Sequence, residues 1–302
     1  MSSRLVIAPA VVWVVLGAYG VTSYVHQYYT YRGFPPPRDP PGIARGRLEN
    51  LGFFSPALGR QRRYLIYLPP GYDAAVRAGR RFPVLYLLHG SPGWPKLFWD
   101  AGRLGVDLDQ QLGARRVRPF LVVAPGGGDG SLTGDTEWAN TPRGRYEDLV
   151  LDTVHAVDRR WATIRSRRFR VLGGDSEGGY AAVNVALHHL KLFGAVESWS
   201  GYFVQRDVGP FATASAATLR ANSPADYVSG LAPELRREPL RAFLYVGRGD
   251  PGLDDVSRFA TALRLAGAHV EFAAFPGKHS WRLWRAQVPR MLRFASDSFG
   301  GP

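Results

Sequence analysis

The sequence predicts an α/β fold, a mostly parallel central sheet covered by helices on both faces, preceded by an apolar N-terminal helix. Two observations predict the sheet. Short apolar runs alternate with amphipathic helical patterns from about Arg47 to the end of the chain, which is the signature of strand–helix units. Most of those runs are near-continuously apolar rather than alternating, as strands buried on both faces require. A third observation predicts the N-terminal helix: no charged residue falls between Leu5 and Val25.

Taken in order, Leu5 to Val25 is long enough to cover a hydrocarbon core of roughly 30 Å. Tyr24, Tyr28, Tyr29 and Tyr31 follow it as an interfacial belt would. Residues 1–30 are therefore expected to form a transmembrane anchor. A cleaved signal segment, with "AYG" at Ala18 to Gly20 as the cleavage site, and a buried helix are the rival readings. The anchor implies a single-pass membrane protein with an extracytoplasmic catalytic domain, or a secreted one if the segment is cleaved. Arg32, Arg38, Arg45 and Arg47 on the far side do not favour export by the positive-inside rule. Residues 31–46 are rich in proline, which forbids helix and favours extended geometry, so they read as a stiff linker.

The catalytic domain is expected over 47–302. Its strands are expected at Arg63–Pro69, Val84–Gly90, Phe120–Pro125, Phe169–Gly174, Ala195–Gly201, Ala242–Gly247 and Val270–Gly277. Helices are expected at Leu104–Arg115, Tyr146–Trp161, Ser176–Leu190, Asp254–Ala266 and Ser280–Phe294.

Composition narrows the chemistry. The chain has 302 residues, 45% hydrophobic and 21% charged, which suits one large globular domain or two small ones. Its net charge of +13 comes almost wholly from arginine, since lysine occurs only at Lys96, Lys191 and Lys278. No arginine-rich helix stands out, so the charge reads as attraction to anionic lipid or a solvated surface, and no nucleic-acid partner is expected. With no cysteine, disulfides, thiolate catalysis and cysteine-based zinc sites are excluded. No phosphate loop and no G-x-G-x-x-G opening a helix after the first strand is found, so no cofactor and no metal are expected.

In parallel sheets the chemistry sits at the carboxyl ends of strands. After the strand ending at Gly174 comes Gly174-Asp175-Ser176-Glu177-Gly178, a G-x-S-x-G turn between strand and helix. This turn exposes a serine hydroxyl and needs small residues two before and two after it. Ser176 is the candidate nucleophile, and the free N–H groups of the following helix favour developing negative charge. A serine needs a base, and the base an orienting acid. Asp250 follows the strand ending at Gly247, with Asp254 and Asp255 as rivals, and His279 follows the strand ending at Gly277. The order Ser, Asp, His is the one this kind of sheet uses. His26, His89, His155, His188, His189 and His269 sit in the N-terminal span, a loop motif, helical patterns or a strand start, and fit the base less well. Two backbone donors should form an oxyanion hole. The N–H of Glu177 is one, and Ser91 in "LLHGSPGW" is the candidate for the other.

The segments "LYLLHG", "APGG", "RFRVLGGDSEGGYAA", "YVGRGD" and "GKHSW", between about Arg62 and Arg293, resemble the esterase branch of the α/β-hydrolases. That branch holds esterase D (S-formylglutathione hydrolase), feruloyl esterases, enterochelin esterases and mycobacterial mycolyltransferases. The resemblance implies an α/β-hydrolase fold with Ser176 as nucleophile, His279 as base then acid, and Asp250 as its orienter. Glu177 departs from the usual Met, Phe or Ala, and a carboxylate there would act on charged substrates. Two loops are expected to shape the pocket: Gly126 to Asn140, whose Asp129, Asp135, Trp138 and Asn140 can contact a polar acceptor or form a calcium loop, and Tyr202 to Pro239, a cap or a plain insertion. The function implied is a membrane-tethered serine hydrolase cleaving carboxylic esters. The alternatives are an acyltransferase passing the acyl group to a sugar or lipid alcohol of the envelope, and an inactive protein on a hydrolase scaffold. The expected partner is an ester substrate, acylated lipid or glycolipid among the options, with the membrane contacted through the N-terminal helix.

Overall fold

In the computed structural model, residues 4–131 and 134–300 are described, without the side chains of 4–11 and 14. Eight strands form one sheet: β1 (Arg47–Ser55), β2 (Arg60–Leu68), β3 (Val84–Leu88), β4 (Leu121–Pro125), β5 (Arg170–Asp175), β6 (Ala195–Trp199), β7 (Arg241–Gly247) and β8 (His269–Phe275). Their spatial order is β1-β2-β4-β3-β5-β6-β7-β8. β1 pairs with β2 and β2 with β4 antiparallel; every later pair is parallel. The expected strands are all present. β1 was not expected, because its residues alternate between exposed and half-buried on the outer edge and so lack a continuous apolar run.

Helices cover both faces. The cluster on one face joins Leu149, Val154, Ala182 and Phe259 from α3 (Tyr146–Arg160), α4 (Glu177–His188) and α5 (Leu253–Leu265). The opposite cluster joins Leu104, Leu108, Trp284 and Leu292 from α2 (Leu104–Gly113) and α6 (Trp281–Ser298). β3 to β6 are buried throughout, as strands with helices on both sides must be.

The N-terminal span lies within one helix, α1 (Arg4–Tyr31). Part of Leu5 to Val25 falls outside the described side chains, and among the described residues no helix is long and apolar enough to cross a membrane. The expected transmembrane helix is therefore not supported. The proline-rich stretch after it lies against the domain rather than standing off as a spacer: the Gly46 N–H donates to Asp109 Oδ1 at 2.9 Å, and the Arg285 guanidinium lies 4.5 Å from the Phe34 ring centre.

Candidate active site

The sheet order reverses at β3, and β5 beside it ends at Asp175. Crevices form at such reversals, beyond the carboxyl ends of the strands. Ser176 lies there, between β5 and α4, with φ 53° and ψ −117°. A non-glycine residue in that region costs on the order of 1–3 kcal/mol and persists only where its surroundings hold it. Here the Ser176 N–H donates to Trp199 O at 2.8 Å, and the Tyr180 N–H donates to Ser176 O at 3.0 Å. The glycines serve a steric need. A Cβ on Gly174 would stand 2.3 Å from Leu88 O, and one on Gly178 would stand 1.9 Å from the same atom.

Three of the expected side chains come together. His279 Nε2 is 2.8 Å from Ser176 Oγ, and His279 Nδ1 is 2.9 Å from Asp250 Oδ2. The other carboxylate oxygen accepts the Gly252 N–H at 2.9 Å. An acceptor at Nδ1 selects the tautomer with its proton there, which leaves Nε2 free to accept the serine proton. The Asp250 side chain is 7% exposed and that of His279 38%, so the acid is enclosed while the base faces the cavity. Asp254 and Asp255 lie in the first turn of α5, and Asp255 pairs with Arg258 there. The Trp284 ring meets His279 edge-on, with centres 5.1 Å apart.

Ser91 lines the same cavity as Ser176 and His279, a space of about 990 Å³. Glu177 heads α4, but its side chain turns elsewhere. The carboxyl is buried and accepts the Thr136 N–H at 3.3 Å. Burial, then the charges of Glu137 and Asp135, hold it well above the usual carboxylate range. It is absent from the cavity wall, so the expected influence of this carboxylate on charged substrates gives way to a structural role. Glu137 beside it is pushed up to about 7 by burial, against hydrogen bonds from Tyr202 and Gln205.

Among the described residues neither loop expected to shape the pocket lines it, which for Tyr202 to Pro239 leaves the plain-insertion reading. Trp138 is buried and its indole N–H donates to His89 O at 3.0 Å, while Asn140 donates to Asp148 at 3.0 Å. No residue of 126–140 or of 202–239 among those described lines the catalytic cavity, and no metal-ligand cluster occurs among the described residues. The 126–140 loop braces the site from behind instead. The Gly127 N–H donates to His89 Nε2 at 3.0 Å, and His89 Nδ1 faces Gly90 O at 3.0 Å. Burial lowers the His89 pKa to about 4, so the ring is neutral and bridges two loops.

Four features were not read from the sequence. His89 was taken only as part of a turn motif, although a histidine after a buried strand is itself a signal. Asp175 occupies a variable position of the elbow, yet its Oδ1 accepts the Gly90 N–H at 3.3 Å and so ties the elbow to the Ser91 loop. Burial pushes its carboxyl up to about 7. Trp138 had no periodic signal. Tyr28, Arg32, Gly33 and Phe34 line the catalytic cavity, and no sequence pattern joins them to it.

The whole arrangement is that of an α/β-hydrolase: Ser176 on a tight strand–helix turn at the sheet's reversal, with Asp250 and His279 beyond the ends of β7 and β8, the last two strands. Residues 55–295 match the family described as "Putative esterase", and the chain belongs to that family. It is 24% identical over 263 residues to an endo-1,4-beta-xylanase/feruloyl esterase of Xylanibacter ruminicola, covering 83% of this chain and 31% of that protein. It is 28% identical over 165 residues to an esterase of Mycobacterium tuberculosis, covering 54% of this chain and 34% of that one. The chain thus spans about a third of each. Among solved structures, a ferulic acid esterase superposes with TM-score 0.75 at 24% identity, covering 84% of this chain and 99% of that one. An S-formylglutathione hydrolase of Agrobacterium tumefaciens superposes with TM-score 0.70 at 14% identity, covering 88% and 100%.

Proposed function

We propose that this protein is a serine hydrolase that cleaves carboxylic esters through an acyl-enzyme. The observation that carries the reading is the continuous chain from Ser176 Oγ through His279 to Asp250, at 2.8 and 2.9 Å. His279 Nε2 takes the hydroxyl proton as Ser176 Oγ attacks the ester carbonyl. Asp250 accepts from Nδ1–H and stabilises the imidazolium that forms. The tetrahedral oxyanion is met by the N–H of Glu177, at the positive end of α4, and by that of Ser91. Collapse expels the alcohol, which takes the proton from His279. Water then attacks the acyl-serine with His279 as base, and the carboxylic acid leaves.

The relatives carry feruloyl esterase and esterase names, which favours an ester substrate over an inactive scaffold. A sugar or lipid alcohol in place of water would make the second half-reaction an acyl transfer, since both share the first. The same reading seats the domain at a membrane surface, with α1 in contact with lipid and the catalytic domain outside the cytoplasm. Its supports are the exposed Val12, Trp13, Val15, Leu16 and Tyr19 on α1 and the net charge of +13.

Hydrolysis of p-nitrophenyl esters of graded chain length tests the chemistry. A nitrophenol burst present in the full chain and lost in Ser176→Ala is expected, and equal rates in both would overturn the mechanism. Slow turnover after the burst that rises with added glycerol or sugar would select the transferase. Flotation with vesicles of mixed neutral and anionic lipid tests the membrane contact; protein left at the bottom of the gradient would refute it.

A further inference from the structure

The cavity at Ser176 is walled in part by residues far from it in sequence. Arg32, the residue after α1, has φ 53°, in the left-handed region that a long side chain enters only when held there. Its N–H donates to Tyr28 O at 2.9 Å. Its guanidinium lies 5.4 Å from the Trp94 ring centre, and Nη2 donates to Pro92 O at 3.2 Å. Pro92 follows Ser91, so this contact fixes Arg32 against the loop expected to hold the oxyanion. Arg32 Nε is buried and has no hydrogen-bond acceptor in the protein. Two more cations, Lys278 and Arg282, line the same cavity. Among the described residues none of the three forms an ion pair with a carboxylate. Among the described residues the sole carboxyl on the wall is Asp175, which is buried and feels the charge of Arg32.

We propose that Arg32, held on the turn that closes the N-terminal helix, is an anion-binding wall of the catalytic cavity, and that with Lys278 and Arg282 it selects esters carrying a negatively charged group. The inference rests on the ester-hydrolase reading and deepens it by naming the substrate class. Chemistry supports the choice of ligand. A guanidinium presents a planar fork of donors that fits a carboxylate or phosphate in a way that a lone ammonium does not. The stacking on Trp94 and the bond to Pro92 pre-order the side chain, so little rotamer freedom is lost on binding.

The test compares two p-nitrophenyl esters of matched length, the neutral butyrate and the mono-ester of succinate, on the full chain. The wild type is expected to prefer the anionic ester in kcat/KM, and rising salt to erode the preference. Arg32→Gln is expected to lower the anionic-to-neutral ratio about tenfold, equivalent to about 1.4 kcal/mol. Arg32→Lys should recover part of it, and Arg237→Gln, far out on the surface, should leave the ratio unchanged. Should Arg32→Gln misfold, the wild type still decides. Free succinate is expected to compete with the neutral ester, and butane-1,4-diol is not. Equal kcat/KM for the two esters, an unchanged ratio in Arg32→Gln, or no competition by succinate would each overturn the proposal. The ester-hydrolase reading would survive all three, because it is judged on the neutral ester and Ser176→Ala.

Discussion

Replacing Asp250 by asparagine asks how much of the chemistry depends on the histidine tautomer. The two oxygens of Asp250 are both acceptors, one for His279 Nδ1 at 2.9 Å and one for the Gly252 N–H at 2.9 Å. An amide has one oxygen and one NH₂. With its oxygen toward Gly252, the NH₂ faces His279, and the ring must take its proton on Nε2, where it points at Ser176 Oγ and cannot act as base. With its oxygen toward His279, two donors face each other at Gly252, and a buried unsatisfied N–H costs about 1–3 kcal/mol. The first arrangement is therefore favoured. Reversal of the tautomer in a triad costs about 10⁴ in kcat, which corresponds to about 5.5 kcal/mol of transition-state stabilisation. The assay is burst and steady-state hydrolysis of a p-nitrophenyl ester by Asp250→Asn, beside thermal melting of the same sample. A loss of activity near that size with an intact fold is expected. A loss smaller than about tenfold, while Ser176→Ala is inactive, would refute the tautomer argument.

Three further outcomes follow from the geometry. Gly178→Ala would place its Cβ 1.9 Å from Leu88 O and 2.5 Å from Leu88 C, backbone that cannot step aside; overpacking of about 1–3 kcal/mol should lower Tm by several degrees, whereas Gly230→Ala, with nothing within 4 Å, should melt as the wild type does. Asp175, pushed up to about 7 by burial, keeps its proton in the folded state over a range where the unfolded chain has lost it. Through Asp175, stability should therefore fall as pH rises from about 4 to about 7, by at most about 4 kcal/mol, and urea midpoints should show Asp175→Asn with a shallower slope, with Glu137 and Glu177, raised by burial in the same way, contributing to the remainder. His89→Phe keeps the volume but removes the acceptor of the Gly127 N–H; kcat should drop by at least about tenfold with a smaller change in KM, and an unchanged kcat would show that the two loops hold without it.

The sheet and the meeting of Ser176, His279 and Asp250 were legible because both leave strict local marks. β3, β5 and β7 are buried on both sides and can hold little but apolar residues. The elbow tolerates only glycine where Leu88 O crowds Gly174 and Gly178. Asp250 and His279 lie where successive strands end, so topology placed them together. What escaped is long-range and side-chain specific. Arg32 meets Pro92 across 60 residues, His89 meets Gly127 across 38, and neither contact imposes a period. β1 escaped because an edge strand with one wet face has no need of a continuous apolar run. Glu177 misled because a carboxyl next to a nucleophile suggests a charge in the site, whereas its side chain runs back to Thr136.

The neutral ring of His89 joins the turn after β3 to the loop after β4 through one atom each, and the Trp138 indole closes the link at His89 O. Two segments pinned by the same side chain cannot open one at a time. Their amide protons should thus exchange with solvent through one shared event, so that those of Gly90 and Gly127 report a single opening free energy. Destabilising either loop would loosen the floor of the reaction chamber on both sides at once.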